Sequence, residues 1–168
     1  MAQITVMILS DHDDFRSRFH ALNELREPGE LEIAWKPLAD LLEVHAAAEE
    51  AIFYPALLKV DSGAKHDTAD AIKDHNAIRD AVKHAREHPA GSEAWWKCVR
   101  NAEKENDDHL REEEDGPIPD FAKRATPAAQ DALAKQFAEF KLAHAGAKHL
   151  DESDKDPKAY VRENAPET

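Results

Sequence analysis

The sequence HAAAEEAIFYP at residues 45–55 recurs as HLREEEDGPIP at residues 109–119. Both stretches carry the pattern His-x-x-x-Glu-Glu and end on a proline. A second pair of related stretches, DHDDFR at residues 11–16 and DHNAIR at residues 74–79, precedes the first pair. The spacing between the two members is nearly the same in both pairs, so the chain contains two similar halves.

Each half is predicted to be a pair of amphipathic helices. Apolar residues recur at three- and four-residue steps, and stretches with glycine or proline separate the periodic segments. The predicted helices cover about residues 5–26, 31–60, 64–88 and 92–115. Short connections between four long helices predict an all-α, up-down-up-down four-helix bundle.

The rest of the chain is predicted to contain one more helix and a tail. A helix at about residues 127–150 has its aromatic residues on one side and is expected to pack outside the bundle. From Asp151 the chain is polar and contains two prolines, which predicts a flexible tail. The expected organisation is a bundle at 1–120, a packing helix of the same domain at 121–150, and a tail at 151–168.

Composition excludes several classes of protein. The net charge of −13, from 35 acidic and 22 basic residues, argues against nucleic acid and anionic membranes as partners, because both are polyanions. The single cysteine, Cys98, excludes an internal disulfide and fits a reducing compartment. The apolar run Ile4–Leu9 is far shorter than the roughly 20 residues of a membrane span, and it lacks the features of a leader. We expect a cytoplasmic monomer or weak homodimer.

One histidine on each predicted helix lies on the apolar face. These four residues are His12, His45, His75 and His109. Burying such rings without partners costs about 1–3 kcal/mol each, and a shared cation removes that cost. Glu49 and Glu113 each follow a histidine by four residues, so the two side chains are about 40° apart around the helix and reach one cavity. The pattern predicts a two-metal site with bridging carboxylates.

Together these motifs resemble the hemerythrin family, in particular its bacterial hemerythrin-like (HHE cation-binding) domains. The resemblance covers about residues 5–119 and rests on four motifs in the same order. It implies a cofactor of two iron ions, joined by an oxo or hydroxo bridge. The implied metal ligands are His12, His45, Glu49, His75, His109 and Glu113.

One position departs from the oxygen-carrying members of that family, which have a further histidine one turn after the histidine of the third helix. Arg79 occupies this position, and its guanidinium stays protonated and cannot bind a metal ion. Either one iron has fewer ligands, or water, His144, His149 or another residue completes the ligand set. A less saturated iron favours peroxide or redox turnover over reversible O₂ storage.

Residues close to the implied ligands in the sequence are not expected to bind metal. Glu50 and Glu114 are expected to face solvent or to contact the ligands from outside. Asp11 and Asp74 either make hydrogen bonds between helices or are solvated. Tyr54, beside a proline, is expected to pack at the end of the bundle, and the alternative is a radical or supporting role near the metal centre.

The expected function is that of a non-haem di-iron protein that reacts with O₂ or with reduced oxygen species. Decomposition of peroxide, of the catalase or peroxidase type, is the preferred reaction. The alternative is a non-catalytic module that binds, stores or senses O₂, NO or iron, so the sequence leaves enzymatic activity open. The partners are small molecules (O₂, H₂O₂ or NO) in both cases.

Overall fold

The computed structural model of the protein describes residues 3–166, and all regular elements in this range are helical. In chain order they are α1 (Ile4–Glu24), α2 (Pro28–Ala48), a π-helical turn (Glu49–Phe53), α3 (Tyr54–Val60), a 3-10 turn (Ser62–Ala64), α4 (Lys65–Ala85), α5 (Glu93–Asp115), α6 (Pro117–Arg124), α7 (Pro127–Ala143) and α8 (Pro157–Asn164). Within the described residues no helix is both long and apolar enough to span a bilayer.

The four long helices form a closed ring. Contacts join α1 to α2, α2 to α4, α4 to α5, and α5 back to α1. The predicted all-α bundle is confirmed, and its four helices begin and end within a few residues of the predicted positions. The second predicted helix is one continuous rod that changes pitch at the π-helical turn.

Local sequence explains where several helices begin. The hydroxyls of Ser92 and Thr126 accept hydrogen bonds from backbone N–H groups in the first turns of α5 and α7, and the carboxylate of Asp156 does the same for α8. Pro28 starts α2, where its missing N–H has no intrahelical partner to lose.

Two apolar clusters fill the bundle, one toward each end. The first surrounds Trp35 and Trp95, and the second surrounds Phe53, Phe121 and Phe137. Along α1, α2 and α4 the inward histidine lies between residues of the two clusters. The bundle therefore contains a polar layer between two apolar layers. Water is excluded from this polar layer, so its polar groups need partners within the protein.

The region after α5 differs from its prediction. The fifth predicted helix ends at Ala143 instead of 150, and turns follow. Gly146, Ala147 and His149 have φ values of 72°, 56° and 58°, in the left-handed region that terminates a helix.

The expected flexible tail also differs in its described part, because α8 packs against α4. Tyr160 is only 8 % exposed, and its hydroxyl donates to the backbone carbonyl of Glu50. The composition of this segment predicted poor packing, but one aromatic residue is enough to anchor a short helix. Residues 167 and 168 of the expected tail lie outside the described residues.

Candidate metal centre

All six implied ligands meet in the polar layer of the bundle. Their side chains come from α1, α2, the π-helical turn, α4 and α5, and every residue is between 0 and 4 % exposed. The ligand atoms form two sets that share Glu49, and within each set all atoms lie within 4.8 Å of one another. The first set is His12, His45, Glu49 and Glu113, and the second is Glu49, His75 and His109.

Glu49 has the geometry of a bridge between the two sets. Its Oε1 lies 3.0 Å from Nε2 of His45. Its Oε2 lies 3.3 Å from Nε2 of His75 and 3.8 Å from Nε2 of His109. Each carboxylate oxygen therefore faces a different set, as a carboxylate shared by two cations requires.

Glu113 is less symmetric, because a hydroxyl occupies one of its oxygens. Its Oε2 lies 3.4 Å from Nε2 of His12 and 3.5 Å from Nε2 of His109. Its Oε1 accepts a 2.6 Å hydrogen bond from the hydroxyl of Tyr54. Oε2 is the oxygen of this carboxylate that has no hydrogen-bond partner.

The preferred interpretation of Tyr54 is wrong, because its side chain is fully buried beside Glu113 instead of packing at the bundle end. In a regular α-helix nine residues separate it from His45 by about 180°, on the opposite face. The π-helical turn holds one extra residue and rotates the remainder of the helix by about 100°, toward the centre. Burial, together with the charges of Glu113 and Glu49, raises the pKa of Tyr54 well above its usual value, so the hydroxyl stays protonated.

A ring of carboxylates surrounds the four histidines, each touching the Nδ1 atom of one ring. The contacts are His12 with Glu114 at 2.9 Å, His45 with Asp11 at 2.9 Å, His75 with Glu50 at 3.0 Å and His109 with Asp74 at 3.5 Å. The two aspartates act within their own half of the chain, whereas the two glutamates cross to the other half. The twofold character of the sequence is thus repeated in the contacts.

These outer contacts orient the rings toward the centre. A carboxylate accepts from Nδ1–H, so the neutral ring keeps its lone pair on Nε2, and the hydrogen-bond partners assign this tautomer. The Nε2 atoms are those that face Glu49 and Glu113. Histidines that bind metal ions in proteins are commonly held in this way.

The inner atoms lack the hydrogen bonds that their burial demands. The buried atoms without such a partner include Nε2 of His12 and of His45, both oxygens of Glu49 and Oε2 of Glu113. Each unpaired buried polar atom costs about 1–3 kcal/mol. In addition, Nε2 of His75 lies 3.1 Å from Nε2 of His109, where two lone pairs repel each other unless a proton or cation lies near both. Cation binding among these donors would give such atoms the partner that they lack.

The family model of the Hemerythrin HHE cation binding domain matches residues 3–121. The chain belongs to this family. The crystal structure of an HHE cation binding domain-containing protein, the Rv2633c homolog from Mycobacterium kansasii, superposes with a TM-score of 0.73 at 20 % identity, covering 96 % of this chain and 99 % of that one. At this identity the superposition shows the fold alone. A comparison with curated proteins finds no match.

In this HHE domain the position of Arg79 has a definite role outside the centre. Its guanidinium donates to Oε1 of Glu50 at 3.0 Å and to Oδ1 of Asn76 at 3.0 Å. Glu50 in turn contacts the His75 ring, so Arg79 supports an implied ligand from behind. His144 donates to the backbone carbonyl of Lys148 at 2.8 Å, and His149 is exposed. Neither of these two histidines is part of the ligand sets.

The charges of the HHE domain centre are strongly coupled. Burial alone lowers the pKa of His45, but the charge of Glu49 and the hydrogen bond with Asp11 outweigh it and raise the pKa to about 9. The pKa of His109 is likewise lowered by burial and raised by Glu113, Asp74 and Glu49, to about 10. Burial raises the pKa of Glu49, yet its three histidine neighbours hold it well below the usual range. Without a cation, the rings of His45 and His109 are protonated at neutral pH, and Glu49 is deprotonated.

Proposed function

We propose that this HHE domain binds two iron ions and reacts with O₂ or with a reduced oxygen species, with decomposition of peroxide as the favoured reaction. The observation that supports it is the pair of ligand sets joined by Glu49, whose inner atoms are buried and lack hydrogen-bond partners. The family supplies cation binding in general. The choice of iron, the number of ions and the reaction are our proposals.

The proposed ligand assignment follows the two sets. His12, His45 and Glu113 hold one ion, His75 and His109 hold the other, and Glu49 contacts both. Iron binds to donor sets that contain imidazole and carboxylate groups but no thiolate. The geometry of the site then selects iron over other divalent metals. The outer carboxylates fix the orientation of each histidine before the metal arrives.

The two sets differ in how many protein donors they offer. The first has four residues and the second has three. The His75 and His109 side therefore has more room for an exogenous small molecule. A bound pair of iron ions supplies one- and two-electron redox chemistry toward O₂ and H₂O₂.

The side chains around the proposed metal site suit it to a small molecule. Tyr54 holds a proton on its hydroxyl beside Glu113, where it stabilises negative charge on that carboxylate. The two apolar clusters on either side keep bulk water away. These features suit a small neutral substrate such as H₂O₂ or O₂, which needs no large binding pocket.

Metal analysis combined with peroxide assays tests the proposal. We expect two irons per chain in the purified protein and evolution of O₂ after H₂O₂ is added, with apo protein and zinc-reconstituted protein inactive. Reversible binding of O₂ or NO without peroxide breakdown supports the alternative, a binding or sensing module. Zinc alone, or no metal after supply of Fe(II), overturns the proposal.

A further inference from the structure

A cleft between α4 and α5 reaches the metal centre from outside. It has a volume of about 480 Å³, and its lining includes His109 and Glu113, two of the implied ligands. Both residues are at most 2 % exposed, and Oε2 of Glu113 lacks a hydrogen-bond partner. The cleft therefore ends against two buried residues of the centre, one of which has a carboxylate oxygen without a hydrogen-bond partner.

The walls of this cleft are strongly acidic. The carboxylates on the two walls are Asp67, Asp70, Asp74, Asp108, Glu112 and Asp115. The guanidinium of Arg111, also in the lining, is engaged by Asp108 at 2.9 Å. A concave surface with charges of one sign concentrates counter-ions and accelerates their arrival.

The outer carboxylates at the other three histidines are each covered by a cation. Lys141 contacts Asp11, Arg16 contacts Glu114 at 2.9 Å, and Glu50 is contacted by Arg79 at 3.0 Å and Lys155 at 2.8 Å. These positive groups repel an approaching metal ion on those three sides. They also tie the carboxylates in place.

Asp74 is the exception. Among residues 3–166 it has no lysine or arginine within 4.0 Å, and its contact with His109 is the longest of the four, at 3.5 Å. Asp74 also lines the acidic cleft. The loosest histidine–carboxylate pair and the negative cleft thus coincide on one side of the bundle.

We propose that this cleft is the entry path by which divalent metal ions load the centre, guided by its carboxylates and passing Asp74 to reach His109 and Glu113. This inference rests on the proposed metal binding and adds the route. The carboxylates of the cleft increase the rate at which metal ions reach the centre. The bound state depends on the inner ligands, so the final stoichiometry is independent of the outer walls.

Stopped-flow uptake of Co(II) by chelator-treated apo protein tests the route, because Co(II) reports its binding by visible absorption. The test variant is Asp70→Asn/Glu112→Gln, which neutralises one carboxylate on each wall. The matched control is Asp80→Asn/Glu105→Gln, which makes the same charge change on the same two helices, in a separate groove. Far-UV circular dichroism verifies folding, and Asp70→Lys serves as a second, single variant.

At low ionic strength we expect the cleft variant to load about 3–10-fold more slowly than wild type, Asp70→Lys to load more slowly as well, and the control to load at the wild-type rate. The difference should vanish at 1 M salt, where the Debye length is about 3 Å. Equal rates for the cleft and control variants overturn the route while the proposed metal binding stands. If wild type binds no Co(II) and no Fe(II), the proposed function fails and the route fails with it.

Discussion

The hydroxyl of Tyr54 donates a 2.6 Å hydrogen bond to Oε1 of Glu113, 59 residues further along the chain. This contact makes two otherwise similar half-sites unequal, because no hydroxyl contacts Glu49, the corresponding glutamate of the first half, among the hydrogen bonds of the described residues. Ile118 takes the position of Tyr54 in the second half of the sequence. The tyrosine thus gives Glu113 a hydrogen-bond partner that Glu49 lacks.

Replacing Tyr54 with Phe should lower the free energy of unfolding of the apo protein and leave metal binding intact. The substitution leaves the buried Oε1 of Glu113 without a hydrogen-bond donor, which lowers the unfolding free energy of the apo protein by about 1–3 kcal/mol. A bound cation supplies a new partner for that oxygen, so the loss should shrink in the metal-loaded protein. Urea unfolding of both forms measures the difference, and an equal loss in both forms would show that the bound cation does not reach Oε1 of Glu113.

Replacing His75 with Ala should remove metal, whereas His66→Ala should not. Both residues lie on α4, but His75 is 1 % exposed and contributes to the second ligand set, while the side chain of His66 is 83 % exposed. We expect His75→Ala to lose at least one metal ion per chain by elemental analysis. Full metal content in His75→Ala would show that the second set is not a binding site.

The stability of the apo protein should fall as pH rises above neutrality. The pKa of His45 is about 9 and that of His109 is about 10 in the folded protein, against an ordinary value of 6.5. A raised pKa contributes stability that is complete below pH 6.5 and is lost as pH rises through the folded value. Urea unfolding at intervals from pH 6.5 to pH 10 should show this decline, and a His45→Gln variant should show a shallower one.

The same protons should be released when metal binds. Metal ions bind the deprotonated rings, so the apparent affinity should increase from pH 6.5 toward pH 9. Calorimetric titration with Co(II) in two buffers of different ionisation enthalpy measures the number of protons released. An identical binding enthalpy in both buffers would refute the raised pKa values.

Tyr160 should hold the C-terminal segment in place. Its ring is buried against the bundle and its hydroxyl donates to the carbonyl of Glu50, so Tyr160→Ala should cost about 3 kcal/mol or more, and Tyr160→Phe about 1 kcal/mol. Limited trypsin digestion should cut at Lys155 and Lys158 much faster in Tyr160→Ala than in wild type. Similar cleavage rates in the two proteins would contradict this role of Tyr160 and support the flexible tail that the composition predicts.

The fold and the inner ligands could be predicted because both depend on local spacing. A helical period places His45 and Glu49 on one face, and the same holds for His109 and Glu113, whatever the neighbouring helices do. The doubled motifs then require four helices that face one another. The structure brings all six of these residues together, as the sequence predicts, while their role as ligands remains a proposal.

The outer contacts could not be predicted, since they join residues far apart in the chain. Glu114 reaches His12 across 102 positions, and which carboxylate meets which ring depends on the rotation and register of packed helices. The sequence left Asp11, Asp74, Glu50 and Glu114 open between solvent and the centre for this reason.

The sequence by itself determined the helices, the inward faces and the candidate donors, because these depend on residue type and helical period. Only the tertiary structure decided the inward turn of Tyr54, the packing of Tyr160 and the absence of a cation beside Asp74 in the described chain. Each of these depends on a change of helical pitch or on distant segments meeting. Such events arise from the packing of the whole bundle, and no short stretch of sequence encodes them.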